Sequence, residues 1–207
     1  MPETKITTET NLKAAFAELR KANPLFELEN RKLVNGIEYN VFKSAPKTLR
    51  DLFDVIHLLH GDFPVLLDEG TQLSYLETMA KAKNLANYLT EQGIKPGDRV
   101  GICMQNCSEW IISHLAISAH GATSVPLNSW WREEELKYGV EHSEVKIVFL
   151  DTKRYEFIKD LPVEKVIVGD EQIDGCTNFS SAVKGNYDSW PKLNANEEDI
   201  NVILYTS

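Results

Sequence analysis

The chain has 207 residues, 43% of them hydrophobic and 26% charged, with a net charge of −9. That length supports one sizeable core and a small appendage, and the composition excludes global disorder. Lys and Arg are scattered among the acids, so nucleic acid is excluded as a main partner: an acidic chain gains nothing from counterion release.

The N-terminal stretch (MPETKITTETNLK) is polar and has no apolar signal core. Leu12, Ala15, Phe16 and Leu19 then recur at helical spacing. Two short alternating runs flank Asn35-Gly36, a pair that tolerates the positive φ of a tight hairpin turn. Ser44-Ala45-Pro46 closes this segment, so residues 1–46 read as a helix-and-hairpin appendage and residues 47–207 as the main α/β body.

Thr48 with Asp51 marks a capped helix start, and Leu49, Leu52, Phe53, Ile56 and Leu59 give that helix one apolar face. Phe63–Leu67 reads as a short strand ending in a Glu69-Gly70 turn. Ser74 and Glu77 form a second capping-box pattern, followed by a stripe of Leu76, Met79, Ala82, Ala86 and Leu89 and a stop at Gly93. From Arg99 onward, apolar runs at Val100–Met104, Thr123–Val125, Lys146–Leu150, Lys165–Val168 and Val202–Tyr205 alternate with helical stretches. Those stretches are Ser108–Ala119, Arg132–His142, Lys153–Asp160 and a short Phe179–Lys184. The strands are continuously apolar, as a sheet buried on both faces requires. The fold class is therefore α/β: a mostly parallel sheet covered by helices on both faces. Asp199–Ser207 (DINVILYTS) reads as the last buried strand, delivering Thr206 and Ser207 to the ligand-binding end of the sheet.

Several candidate chemistries weaken on inspection. His57 and His60, with Asp54 and Asp62 nearby, have metal-ligand residue types, yet they flank the apolar stripe and fit a solvated helix face better. His114 lies in a helix apolar on most sides and reads as a hydrogen-bonded core histidine. Cys107 falls near a helix start, where a thiolate is favoured, while Asn106 reads as the cap of that helix. No G-x-S-x-G and no G-x-G-x-x-G occurs. Trp130 and Trp131 read as sheet-edge packing, with an exposed patch for a partner or acyl group as the other reading. Glu133–Glu135 suits the positive end of its helix. No residue stands out as catalytic or metal-binding. Cys103, Cys107 and Cys176 show no framework spacing, and the longest apolar run, Trp110–Ala119, is far short of the ~20 residues of a membrane span. A cytoplasmic protein without a transmembrane segment is expected.

Six segments, in order, carry a resemblance. They are LSYLE (Leu73–Glu77), GIKPGDRV (Gly93–Val100), MQNCSEW (Met104–Trp110), AISAHGATSVPLN (Ala116–Asn128), EELKYGVEHSEVKIV (Glu134–Val148) and DINVILYTS. Together they resemble the N-terminal portion of the AMP-forming acyl-activating enzymes: acyl-CoA synthetases, luciferases and nonribosomal adenylation domains. Asn128-Ser129-Trp130-Trp131 and the entry segment from Pro24 are most similar to fatty-acid–CoA ligases. The resemblance implies a two-step reaction: a carboxylic acid and ATP give an acyl-adenylate and pyrophosphate, and a thiol, usually of CoA, then displaces AMP. It implies ATP, Mg2+ and CoA as cofactors of a complete parent and a fatty or other carboxylic acid as its substrate. Thr206 and Ser207 match the two hydroxyl residues that open the family's phosphate loop; the glycines, Thr and Lys of that loop have no counterpart in the chain. The expectation is a fragment that is inactive alone, binds none of these cofactors, and leaves an exposed face through which it dimerises. In the isolated chain Thr206 and Ser207 then read as a frayed end, and in a complete parent as the start of the phosphate loop. The alternative is a non-catalytic interaction module that keeps the scaffold.

Overall fold

The computed structural model describes residues 8–32, 36–68, 70–192 and 195–206. The chain divides into two compact units, Met1–Lys47 and Thr48–Ser207.

In the first unit, helix α1 (Thr8–Ala22) leads through a single 3-10 turn (Pro24–Phe26) into an antiparallel hairpin of β1 (Leu28–Lys32) and β2 (Glu38–Phe42). Among the described residues the pairing runs from Leu28 with Phe42 to Lys32 with Glu38, as the expected hairpin requires. Asn35 itself lies outside the described residues. Phe26 and Phe42 meet edge to face at 6.1 Å.

The second unit opens with α2 (Leu49–His60), whose Thr48/Asp51 capping box forms as the sequence indicates. Of its apolar stripe, Phe53 is buried and Leu59 stands in solvent. Strands β3 (Pro64–Asp68) and β4 (Thr71–Ser74) pair as a hairpin. β4 has no separate signature in the sequence, because its four residues run directly into the cap of the next helix. That helix, α3 (Tyr75–Glu91), carries the expected Ser74/Glu77 box. It ends on Gly93 at φ +77, where the Gly93 N–H donates to the Thr90 carbonyl at 3.0 Å and the Ile94 N–H to the Leu89 carbonyl at 3.0 Å. This left-handed closure suits glycine, which has no Cβ to strain, and it brings Ile94 onto Leu89 inside the core.

A five-stranded parallel sheet follows, in the order β6 (Thr123–Pro126), β5 (Arg99–Cys103), β7 (Ile147–Asp151), β8 (Glu164–Val168), β9 (Thr177–Asn178). The helices between the strands are α4 (Ser108–His120), α5 (Glu133–His142), α6 (Thr152–Ile158) and α7 (Phe179–Ala182). Successive side chains of a strand point to opposite faces, and in β7 both faces are filled. Ile147 and Phe149 enter a core built with α3, α4 and α7; Val148 and Leu150 enter a second core built with α5 and α6. That two-sided burial explains why the strands are continuously apolar. Among the described residues no helix is long and apolar enough to cross a membrane.

The terminal segment departs from the sequence reading. Residues 200–205 are not a buried strand. They lie outside β6 and form one parallel bridge, Ser124 with Val202. The Ser124 N–H donates to the Asn201 carbonyl at 2.8 Å, and the Ile203 N–H donates to the Ser124 carbonyl at 2.9 Å. The Thr123 hydroxyl donates to the Ile200 carbonyl at 2.8 Å. Ile203 and Tyr205 pack onto the second core, whereas Ile200, Val202 and Leu204 are exposed. An edge position accounts for this: only one face of the segment is covered by helices.

Phe149 has 0% relative exposure at the centre of the sheet and meets Phe179 edge to face. Phe149→Ala is expected to destabilise the fold by about 3–5 kcal/mol. Urea unfolding measures it, and a loss under about 1 kcal/mol would contradict the two-core architecture.

Candidate functional site

Ligands of parallel α/β sheets bind at the carboxyl ends of the strands. At this edge β5 runs out into Met104-Gln105-Asn106-Cys107, β7 ends at Asp151, β8 at Val168, and the segment outside β6 ends at Thr206. A cavity of about 340 Å3 lies across β5, β7 and β8, lined by Asp68, Met104, Asn106, Glu109, Asp151 and their neighbours. Three carboxylates and no lysine or arginine face it. Like-charge repulsion makes such a lining hostile to a triphosphate.

Two links at this edge escaped the sequence reading. The first is the cap of α4. Asn106 does not cap this helix; Cys107 occupies the cap position and its side chain makes no capping bond, its thiol turning to the Met104 sulfur at 3.6 Å. The Asp68 carboxylate, from the end of β3, instead accepts the Ser108 N–H at 2.9 Å. A capping group forty residues away leaves no local spacing to read. The second link is Arg154, 5% exposed. It pairs with Asp151 at 2.9 Å, and its Nε donates to the Ser129 carbonyl at 3.0 Å. The end of β7 is thereby tied to the loop that follows β6. Asp151 also accepts the Arg154 N–H at 3.1 Å, a helix-start pattern legible as Asp before a helical run.

Burial pushes the Cys107 thiol up to about 11 and the Cys103 thiol up to about 12, so neither is a ready nucleophile at neutral pH. His114 is half-buried, stacks on Trp110 with ring centroids 5.5 Å apart, and hydrogen-bonds the Ser124 hydroxyl at 3.1 Å. Burial holds its pKa below the usual histidine value, as a core histidine requires. Among the described residues no three His, Cys, Asp or Glu side chains converge on a metal position, and His60 is exposed at the end of α2. The paired tryptophans separate. Trp131 packs on the second core and meets Tyr205 edge to face at 5.4 Å, while Trp130 is 83% exposed and packs on nothing at the sheet edge. Glu133–Glu135 form the first turn of α5, where the Glu135 carboxylate accepts the Arg132 N–H at 2.9 Å.

Thr206 is exposed at the end of its segment, and Ser207 lies outside the described residues. A single described hydroxyl is no phosphate cradle, which needs several converging amides and a cation. The residues present therefore do not by themselves fit ATP.

A five-stranded parallel sheet covered by helices on both faces defines the class: an α/β protein with a ligand edge at the carboxyl ends of its strands. The sequence pattern of one family, the AMP-binding enzymes, matches residues 57–207, and the chain belongs to that family. The chain is 29% identical over 160 residues to bacitracin synthase 1 of Bacillus licheniformis, covering 76% of this chain and 3% of that protein. It is 32% identical over 105 residues to the acyl-CoA ligase sidI of Aspergillus fumigatus, covering 50% of this chain and 18% of the ligase. The structure of a long-chain-fatty-acid-CoA ligase from Archaeoglobus fulgidus superposes with a TM-score of 0.69 at 24% identity, covering 78% of this chain and 35% of that one. That last likeness bears on the fold alone. The chain thus spans a minor part of the length of each relative.

Asp68→Ala is expected to cost about 0.5–2 kcal/mol through the lost cap on α4, and Asn106→Ala to stay within about 0.5 kcal/mol. Paired thermal melts of the two variants check this. The reverse ranking would restore Asn106 as the cap.

Proposed function

We propose that the chain contributes the first sheet of an AMP-forming acid–thiol ligase. The parent protein would couple a fatty or other carboxylic acid to a thiol such as CoA through an acyl-adenylate, in the cytosol. The observation that carries this reading is the segment at 200–206: it runs parallel to β6 and ends in Thr206 at the ligand edge, inside the region that matches the AMP-binding enzymes. The acyl-CoA ligase named among the relatives supports the acid–thiol assignment.

The chain's own contribution is scaffolding. It holds the terminal segment on Ser124, and it fixes the loop after β6 through Arg154. The cavity across β5, β7 and β8 is lined by three carboxylates and offers no cation to neutralise charge on a triphosphate, the larger part of the catalytic work in phosphoryl chemistry. We infer that the isolated 207-residue chain is inactive and binds neither Mg-ATP nor CoA.

Two measurements test the reading separately. Calorimetric titration of the isolated chain with Mg-ATP is expected to give no heat of binding, and ATP–pyrophosphate exchange to be absent with any carboxylic acid. Exchange above background would overturn the inactivity. In the protein expressed from the intact gene, a panel of carboxylic acids with ATP and CoA is expected to release AMP in an acid-dependent manner. Release of ADP, or release independent of acid, would overturn the ligase assignment.

A further inference from the structure

A shallow cavity of about 330 Å3, wide open to solvent, lies between α5 and the terminal segment and shares no lining residue with the carboxylate-lined cavity of β5 and β7. Its lining is Trp131, Glu134, Glu135, Tyr138 and Tyr205. Three aromatic side chains from three different elements thus meet two carboxylates around one space.

The walls are fixed. Trp131 and Tyr205 stand edge to face at 5.4 Å. The Tyr205 hydroxyl is bound to His142 Nδ1 at 2.8 Å and donates to the Gly139 carbonyl at 3.3 Å. Tyr138 stacks on His142 with ring centroids 5.1 Å apart. A Cβ at position 139 would come within 2.6 Å of the Trp131 ring, so Gly139 is what allows the indole to lie against α5. Preorganised walls lower the ordering cost of binding.

The charge of the lining selects the occupant. Glu135 already accepts the Arg132 N–H, and Glu134 has no ion-pair partner among the described residues. Two carboxylates repel a phosphate or a fatty carboxylate, and they disfavour a plain acyl chain, which cannot compensate their loss of water. An alkylated ammonium satisfies both requirements: its methyl groups cover the rings, its charge interacts with the π faces, and the carboxylates complete the neutralisation. We propose that this cavity is an aromatic cage for an organic ammonium group of the trimethylammonium type. The proposal does not depend on the ligase reading.

The test uses the 207-residue chain and tetramethylammonium chloride as probe, with sodium chloride at equal ionic strength as baseline. The neutral choline isostere 3,3-dimethylbutanol serves as the shape control. The readout is the NMR shift of the Trp131 indole N–H, identified by its loss in Trp131→Phe. A saturable shift with tetramethylammonium and none with the alcohol is expected. Tyr138 is 58% exposed and Glu134 is exposed, so Tyr138→Ala and Glu134→Gln leave the core intact, which circular dichroism verifies. Each is expected to weaken binding, Tyr138→Ala by about tenfold. A shift that never saturates, an equal response to the alcohol, or unchanged binding in Tyr138→Ala would each overturn the cage.

Discussion

Ser124 holds the terminal segment against the sheet. Its amide and its carbonyl are both taken by the segment at 201–203, at 2.8 and 2.9 Å. Its side chain meets His114, which is stacked on Trp110 beneath the sheet. One residue therefore joins the edge segment, the sheet and α4. Placing Thr206 at the carboxyl edge, and Tyr205 against Trp131, follows from that single register. A slip of one residue would turn Ile203 and Tyr205 outward and Val202 and Leu204 inward, exchanging the packed face for the exposed one.

The interior was legible because two-sided burial writes itself into sequence. Ile147-Val148-Phe149-Leu150 has no polar residue to spare, since each face has its own core. The capping boxes at Thr48 and Ser74 were equally legible, because their partners lie three residues away. The edge was misread for the same physical reason run backwards. Val202-Ile203-Leu204 is as apolar as β7, yet alternate residues stand in solvent. An apolar run records what a strand can bury; composition alone does not say whether a second layer covers it. Trp130 and Trp131 illustrate the same limit, with adjacent and identical residues, one packed and one 83% exposed.

The site was legible as a family and only partly as a geometry. Local spacing identified the ordered segments now matched over residues 57–207. Links across long separations left no such trace. Asp68 caps α4 from a different hairpin, and Arg154 reaches the Ser129 carbonyl across the sheet edge. The carboxylate lining near β5 and the aromatic lining near α5 also arise only when distant residues converge. Neither of these two linings resembles a phosphate site.

The central claim is that residues 200–205 form the outer strand position of the sheet, clasped by Ser124. Residue-resolved amide hydrogen exchange tests it directly. Slow exchange is expected at the Ser124 and Ile203 amides, both paired, and fast exchange at Leu204, which has no bridge partner among the described residues. Ser124 and Ile203 exchanging at the rate of an unstructured chain would contradict it.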